Sequence, residues 1–113
     1  MKHEMKLQSK YYNYIKSGTK RIELRLYDEK RKNINIGGII TFYKEPELVE
    51  SFDSKVIGLL RYNSFSDLFK DFDIELLADK SMSKEELLNT LERFYTVDMQ
   101  KKYGILGIRI ELM

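Results

Sequence analysis

Between Gly18 and Asp28 the chain holds a strict two-residue alternation. Ile22, Leu24 and Leu26 fall on one side of an extended strand, and Arg21, Glu23, Arg25 and Tyr27 on the other. Such a segment fits only where one face meets a core while the other presents two arginines, a glutamate and a tyrosine. The flanking residues support a strand here. Leu7, Tyr11 and Ile15 recur four apart around Ser9, a residue suited to an N-cap, and predict a short helix with these three on one face. Gly18 stands where a helix end favours a left-handed residue, and Lys20 leads into the strand.

The other segments narrow the fold class. Glu4 to Leu7 reads as a short first strand, with the lone His3 in a frayed terminus. Ile39 to Tyr43 reads as a strand by its β-branched and aromatic content, after a bend at Gly37 and Gly38. Ser51 to Asn63 contains a strand that is apolar on both faces in its middle, as a central strand of a sheet or barrel would be. Ser64 to Lys70 reads as a short helix, and Asp73 to Leu77 is open to more than one reading. Ser83-Lys84-Glu85-Glu86 matches the capping box. The stripe that follows it, Leu87, Leu88, Leu91, Phe94 and Tyr95, is the pattern of core packing. The chain closes on Leu106, Ile108, Ile110 and Leu112, alternating with Gly107, Arg109 and Glu111 as a half-buried strand. Short strands in irregular order with helices predict an α+β fold built on a small, partly closed barrel or strongly bent sheet.

A length of 113 residues predicts one domain over 1–113, large enough for a core without staples. Cysteine is absent, which excludes disulfides and thiolate chemistry. No apolar run reaches the roughly 20 residues of a membrane span, and the charged start lacks the apolar middle of a secretory signal. A cytoplasmic protein with no membrane partner is the expectation. The net charge of +2 hides an asymmetry: residues 1–32 hold ten Lys/Arg against four Asp/Glu, and residues 33–113 hold ten against fourteen. A basic first third favours anionic partners if it folds into one face.

No phosphate-binding loop, dinucleotide fingerprint, zinc spacing or serine-hydrolase elbow is present, and no metal or cofactor is expected. Chemistry is left to the charged strand face. Lys20 offers a point charge and Arg25 a bidentate fork for phosphate. Glu23 lies two residues from Arg25 on the same face and can pair with it. Tyr27 adds a stacking ring, and Lys30, Arg31 and Lys32 add charge, as in readers of single-stranded nucleic acid. Two readings are open from the residues alone: a ligand-lining face, or a solvated face with a weak ion pair.

Gly18-x-Lys20-x-x-Glu23-x-Arg25, followed by Asp28-Glu29-Lys30-Arg31 and Ile36-Gly37, closely resembles the signature of the ASCH domain family, in the PUA-like superfamily of small β-barrels. The resemblance continues through Phe65 to Phe69 and Tyr103 to Ile110. It departs at Gly38, where such domains often carry Asp. The resemblance implies a PUA-like barrel whose signature strand lines a cleft for RNA or a nucleotide-like ligand. Lys20, Glu23 and Arg25 are the matching site residues, with Gly18 and Gly37 shaping turns. Some relatives are enzymes, which leaves an alternative: a small hydrolase acting on a modified nucleoside or on RNA, with Lys20 and Glu23 as an acid–base pair. The amidohydrolase among them uses a Thr nucleophile three residues after the signature Lys. Glu23 occupies that place here, so that activity is not carried over.

Overall fold

The computed structural model describes residues 2–113. Five strands form one sheet: β1 (Lys2–Leu7), β2 (Ile22–Leu26), β3 (Ile39–Lys44), β4 (Ser51–Tyr62) and β5 (Ile105–Leu112). Their order across the sheet is β1-β3-β4-β5-β2, with β1 parallel to β3 and every other pair antiparallel. Helices α1 (Ser9–Lys16), α2 (Phe65–Phe69), α3 (Ile74–Leu77), α4 (Lys84–Phe94) and α5 (Val97–Tyr103) cover it. The architecture is the expected α+β half-barrel. Among the described residues, no helix is long and apolar enough to cross a membrane.

The two edge strands, β1 and β2, are consecutive in the chain, so α1 must cross from one sheet edge to the other. It does so between two cores. Tyr12 and Ile15 are buried with Met5, Leu7, Phe42 and Val56, while Tyr11 and Tyr14 pack against a second cluster around Ile22, Leu24, Phe65 and Leu87. The expected stripe of Leu7, Tyr11 and Ile15 is therefore corrected, because a helix lying in a seam has two buried edges. The helix also starts differently. Gln8, not Ser9, occupies the cap, and no side chain bonds the first turn. Gln8 keeps the extended ψ of 146° of the preceding strand. At the other end Gly18 has φ of +87°, which glycine adopts without steric cost.

β4 is the middle strand, as its apolar centre predicted. Strand β5 departs from the half-buried reading. Ile105, Leu106, Gly107 and Ile108 are all buried, whereas Leu112 is exposed. The sheet is covered on both sides at this point: Leu106 and Ile108 face the first core and Ile105 the second. Gly107 allows that packing. A Cβ there would stand 2.8 Å from Leu68 Cδ1 and 3.2 Å from Ile22 Cγ2. The terminus is also more ordered than expected, since His3 pairs with Ile40 inside β1.

Two helices have clearer local causes. Ser83 Oγ accepts the Glu86 amide and Glu86 Oε1 accepts the Ser83 amide, closing the predicted capping box of α4. Helix α5, for which the sequence suggested no element, is capped by Thr96 and fixed by Gln100. Gln100 Oε1 accepts the Phe65 amide at 3.0 Å and its Nε2 donates to the Tyr95 carbonyl at 2.9 Å. A buried glutamine thereby ties α2 to the end of α4.

Replacing Gly107 by Ala should destabilise the fold by about 1–3 kcal/mol through overpacking against Leu68 and Ile22. A urea unfolding midpoint unchanged from wild type would contradict this packing.

Candidate functional site

Lys20, Glu23 and Arg25 converge. Lys20 comes from the turn after Gly18, and Glu23 and Arg25 from alternate positions of β2, whose opposite face (Ile22, Leu24, Leu26) is held in the second core. Lys20 is only 3% exposed and Glu23 5%. The Lys20 ammonium donates to the Ile22 carbonyl at 2.7 Å and to the Leu77 carbonyl at 2.6 Å, and it lies 3.4 Å from Glu23 Oε1. Leu77 ends the one-turn helix α3, where carbonyls lack intrahelical partners. Glu23 Oε2 accepts from Arg25 Nε at 2.9 Å and sits 2.8 Å from Nη2. Arg25 Nη2 also donates to the Lys6 carbonyl at 3.0 Å. That last bond links β2 to β1, the opposite edge of the sheet.

Burial and charge oppose one another in this group. For Glu23, burial pushes the carboxyl pKa up, but Arg25 and Lys20, with hydrogen bonds from Arg25 and the Leu24 amide, hold it below the ordinary carboxylate value. For Lys20, burial dominates and pulls the ammonium below the usual lysine value, against the pull of Glu23. Arg25 is likewise disfavoured by burial, and Glu23 and then Tyr95 more than reverse it. Glu23 is the anion that keeps two cations in place.

A cleft of about 380 Å3 opens over this group, within the range of roughly 300–1,000 Å3 common for small-ligand sites. Lys20, Glu23 and Arg25 form its floor. Leu87, Thr90, Leu91 and Phe94 of α4, with Tyr95 just past its end, form one wall, and Gln8, Tyr11 and Glu45 also line the cleft. The α4 stripe is therefore only partly core. Leu87 is buried, Leu88, Leu91 and Tyr95 are half-buried against the second core, and Phe94 is 56% exposed at the cleft. The stripe is longer than the core needs, and its C-terminal end lines the cleft. Only Thr90, which breaks the run beside Leu91, hinted at this in the sequence.

The other predicted residues lie elsewhere. Lys30 and Arg31 line a neighbouring depression that shares Lys6 and Arg25 with the cleft. Arg31 is occupied locally: its Nη1 is 3.0 Å from Asp28 Oδ2, and Asp28 Oδ1 accepts its amide. Tyr27 lines neither and packs against the first core beneath Arg61. Gly37 has φ of +91°, and its amide bonds the Val56 carbonyl, a turn role as expected.

Residues 5–113 match the ASCH domain. The chain belongs to the ASCH domain family. A crystal structure of hypothetical protein PH0355 aligns over 100% of both chains at 41% identity with a TM-score of 0.87. The solution structure of protein PF0455 from Pyrococcus furiosus aligns over 100% of this chain and 98% of its own at 36% identity, with a TM-score of 0.79. ZmASCH from Zymomonas mobilis, crystallised as a point mutant, shares the fold at 11% identity, covering 96% of this chain and 66% of its own with a TM-score of 0.68. No functionally curated protein matches the chain. The sheet and helices are those of a PUA-like ASCH fold.

The charge group makes stability depend on pH. Glu23 has a lower pKa folded than unfolded, so its contribution is complete above the ordinary carboxylate range and is lost as pH falls through its native value. Glu23→Gln removes the anion and leaves Lys20 and Arg25 as adjacent buried cations, which should cost about 3–5 kcal/mol at neutral pH. The variant's loss should shrink as pH falls below the ordinary carboxylate range and through the lowered pKa of Glu23, where wild type itself loses the charge. Urea titrations of both proteins across that range check this, and parallel pH curves would refute it.

Proposed function

We propose that this ASCH domain binds RNA or a nucleotide-like ligand, with one base in the cleft and an anionic or carbonyl acceptor on Arg25. The observation that carries this is the pairing of a buried cationic floor with an aromatic wall. Arg25 Nε and Nη2 hold Glu23 and the Lys6 carbonyl, and Arg25 is also hydrogen-bonded by the Tyr95 side chain of the cleft wall. Its remaining N–H groups are directed by a fork already fixed in place. Phe94, exposed in the same cleft, offers a flat apolar surface on which a base can stack. The family supports the same class of ligand, since ASCH domains are generally thought to bind RNA.

The roles differ among the three charged residues. Lys20 has its ammonium directed at two carbonyls and Glu23, so it acts as a support, and Glu23 orients Arg25. Arg25 is the contact residue. A hydrolytic reading has one observation in its favour, a buried lysine with a lowered pKa beside a carboxylate in a cleft. It requires Lys20 to give up a carbonyl partner in order to move a proton. Incubation with modified nucleosides and short RNAs, read by mass spectrometry, separates the two; a product would favour the hydrolase.

Binding is tested with labelled single-stranded RNA. Phe94→Ala should weaken affinity by about 1–3 kcal/mol through lost stacking. Arg25→Lys, which keeps a cation against Glu23 but removes the fork, should weaken it by about 1–3 kcal/mol. Fluorescence anisotropy reads both. Wild-type affinity in the two variants would refute the cleft as the binding site.

A further inference from the structure

The sheet carries a second arginine in register with Arg25. Leu106 of β5 pairs with Arg25 on one side and with Arg61 of β4 on the other. The two arginines therefore rise from one face of the sheet, two strands apart, or roughly 10 Å between backbones. Arg61 does not line the cleft. Its guanidinium carbon lies 3.9 Å from the centre of the Tyr27 ring, and the Lys32 ammonium, paired with exposed Glu29 at 2.9 Å, lies 5.8 Å from the same ring. Tyr27 is itself anchored, with its amide donating to the Gly104 carbonyl at 3.0 Å.

A groove of about 700 Å3 begins at Arg61 and passes Lys101, Lys102 and Tyr103 of α5. Tyr103 is exposed, and the Lys102 ammonium lies 5.1 Å from its ring centre. The acidic residue in the groove lining, Asp67, is 3.5 Å from Lys70 and thereby partly neutralised. Cations and two tyrosine rings thus share this side of the molecule, starting from Arg61 in the row that holds Arg25.

We propose that the strip Lys32, Tyr27, Arg61, Lys101, Lys102 and Tyr103 is a track for a single-stranded nucleic acid that extends beyond the nucleotide held in the cleft. This rests on the reading of the cleft given above. A guanidinium lying over a tyrosine ring has its outer face available for a base and its N–H edge for phosphate. Tyr103 provides a second stacking surface, and the lysines follow the backbone charge. An acidic protein segment would meet the same charges but would make no use of two ring platforms. A duplex keeps its bases paired and stacked, so it cannot place one in the cleft while its backbone follows the strip.

The test compares a mononucleotide with an oligonucleotide of about eight residues, using wild type and the double variant Arg61→Gln/Lys102→Gln. Both replaced side chains are exposed, and circular dichroism checks the fold. Wild type should bind the oligomer at least about tenfold more tightly than the mononucleotide at low salt. The variant should keep wild-type affinity for the mononucleotide and lose most of that gain. Its salt dependence should fall by about 0.7 in logarithmic slope for each phosphate contact removed. Mononucleotide binding with no gain from length overturns the track and leaves the cleft reading intact, as does a variant that retains the whole gain. Binding of neither ligand overturns both. Tighter binding of an acidic peptide or of duplex RNA than of the single strand reassigns the strip and overturns the proposal.

Discussion

Glu23 holds its negative charge in a place that water barely reaches, and much of the molecule's open side is arranged around that fact. Removing a carboxylate from water costs several kcal/mol unless paired charges and hydrogen bonds replace the solvent. Here the replacements come from separate parts of the chain. Lys20 arrives from the turn set by Gly18, and Arg25 stands two residues on along the strand. Lys20 in turn needs acceptors, which it finds at Ile22 and at the end of α3. Arg25 carries the network to the Lys6 carbonyl, where the half-barrel's two edge strands approach. One buried anion therefore connects β1, β2 and α3.

This arrangement explains why the charged face of β2 is not a solvated surface. A strand face open to water would leave Glu23 and Arg25 to a weak, screened pair. Enclosure beneath α1 and α4 makes the pair strong and holds Arg25 in the cleft between Glu23, the Lys6 carbonyl and Tyr95. The apolar wall opposite has the complementary property, with exposed aromatic surface that the core does not require.

Much of the fold was legible in local patterns. The central position of β4 followed from its apolar middle, the break after α1 from Gly18, and the start of α4 from the Ser83–Glu86 box. Misreadings arose where one element serves two surroundings. Alternation on β5 suggested one buried face, but helices cover the other side at Gly107. The α1 face was assigned to Tyr11, while a helix in a seam buries Tyr12 as well. The site was legible in its floor, because Lys20, Glu23 and Arg25 lie close in sequence. It was not legible in its wall, because a stripe that begins in the core and ends in a cleft has the same periodicity throughout. Tyr27, Lys30 and Arg31 were read as lying beside the floor; Lys30 and Arg31 line a depression that adjoins the cleft at Arg25, and Tyr27 lies under Arg61.

The floor and wall of the cleft differ in what holds them. The floor is bound into the sheet by a charge network in which each member depends on the others, so a change at any one of them disturbs the fold. The wall belongs to α4, which closes its own N-terminus through Ser83 and Glu86 and presents Thr90, Leu91 and Phe94, while Tyr95 past its end hydrogen-bonds Arg25. A substitution at exposed Phe94 alters the shape and polarity of the cavity at less structural cost than one at Leu87 or Leu91, which pack into the second core. The charged half of the cleft is thus fixed by the fold, and the exposed end of α4 is the half whose chemistry can change without unmaking it.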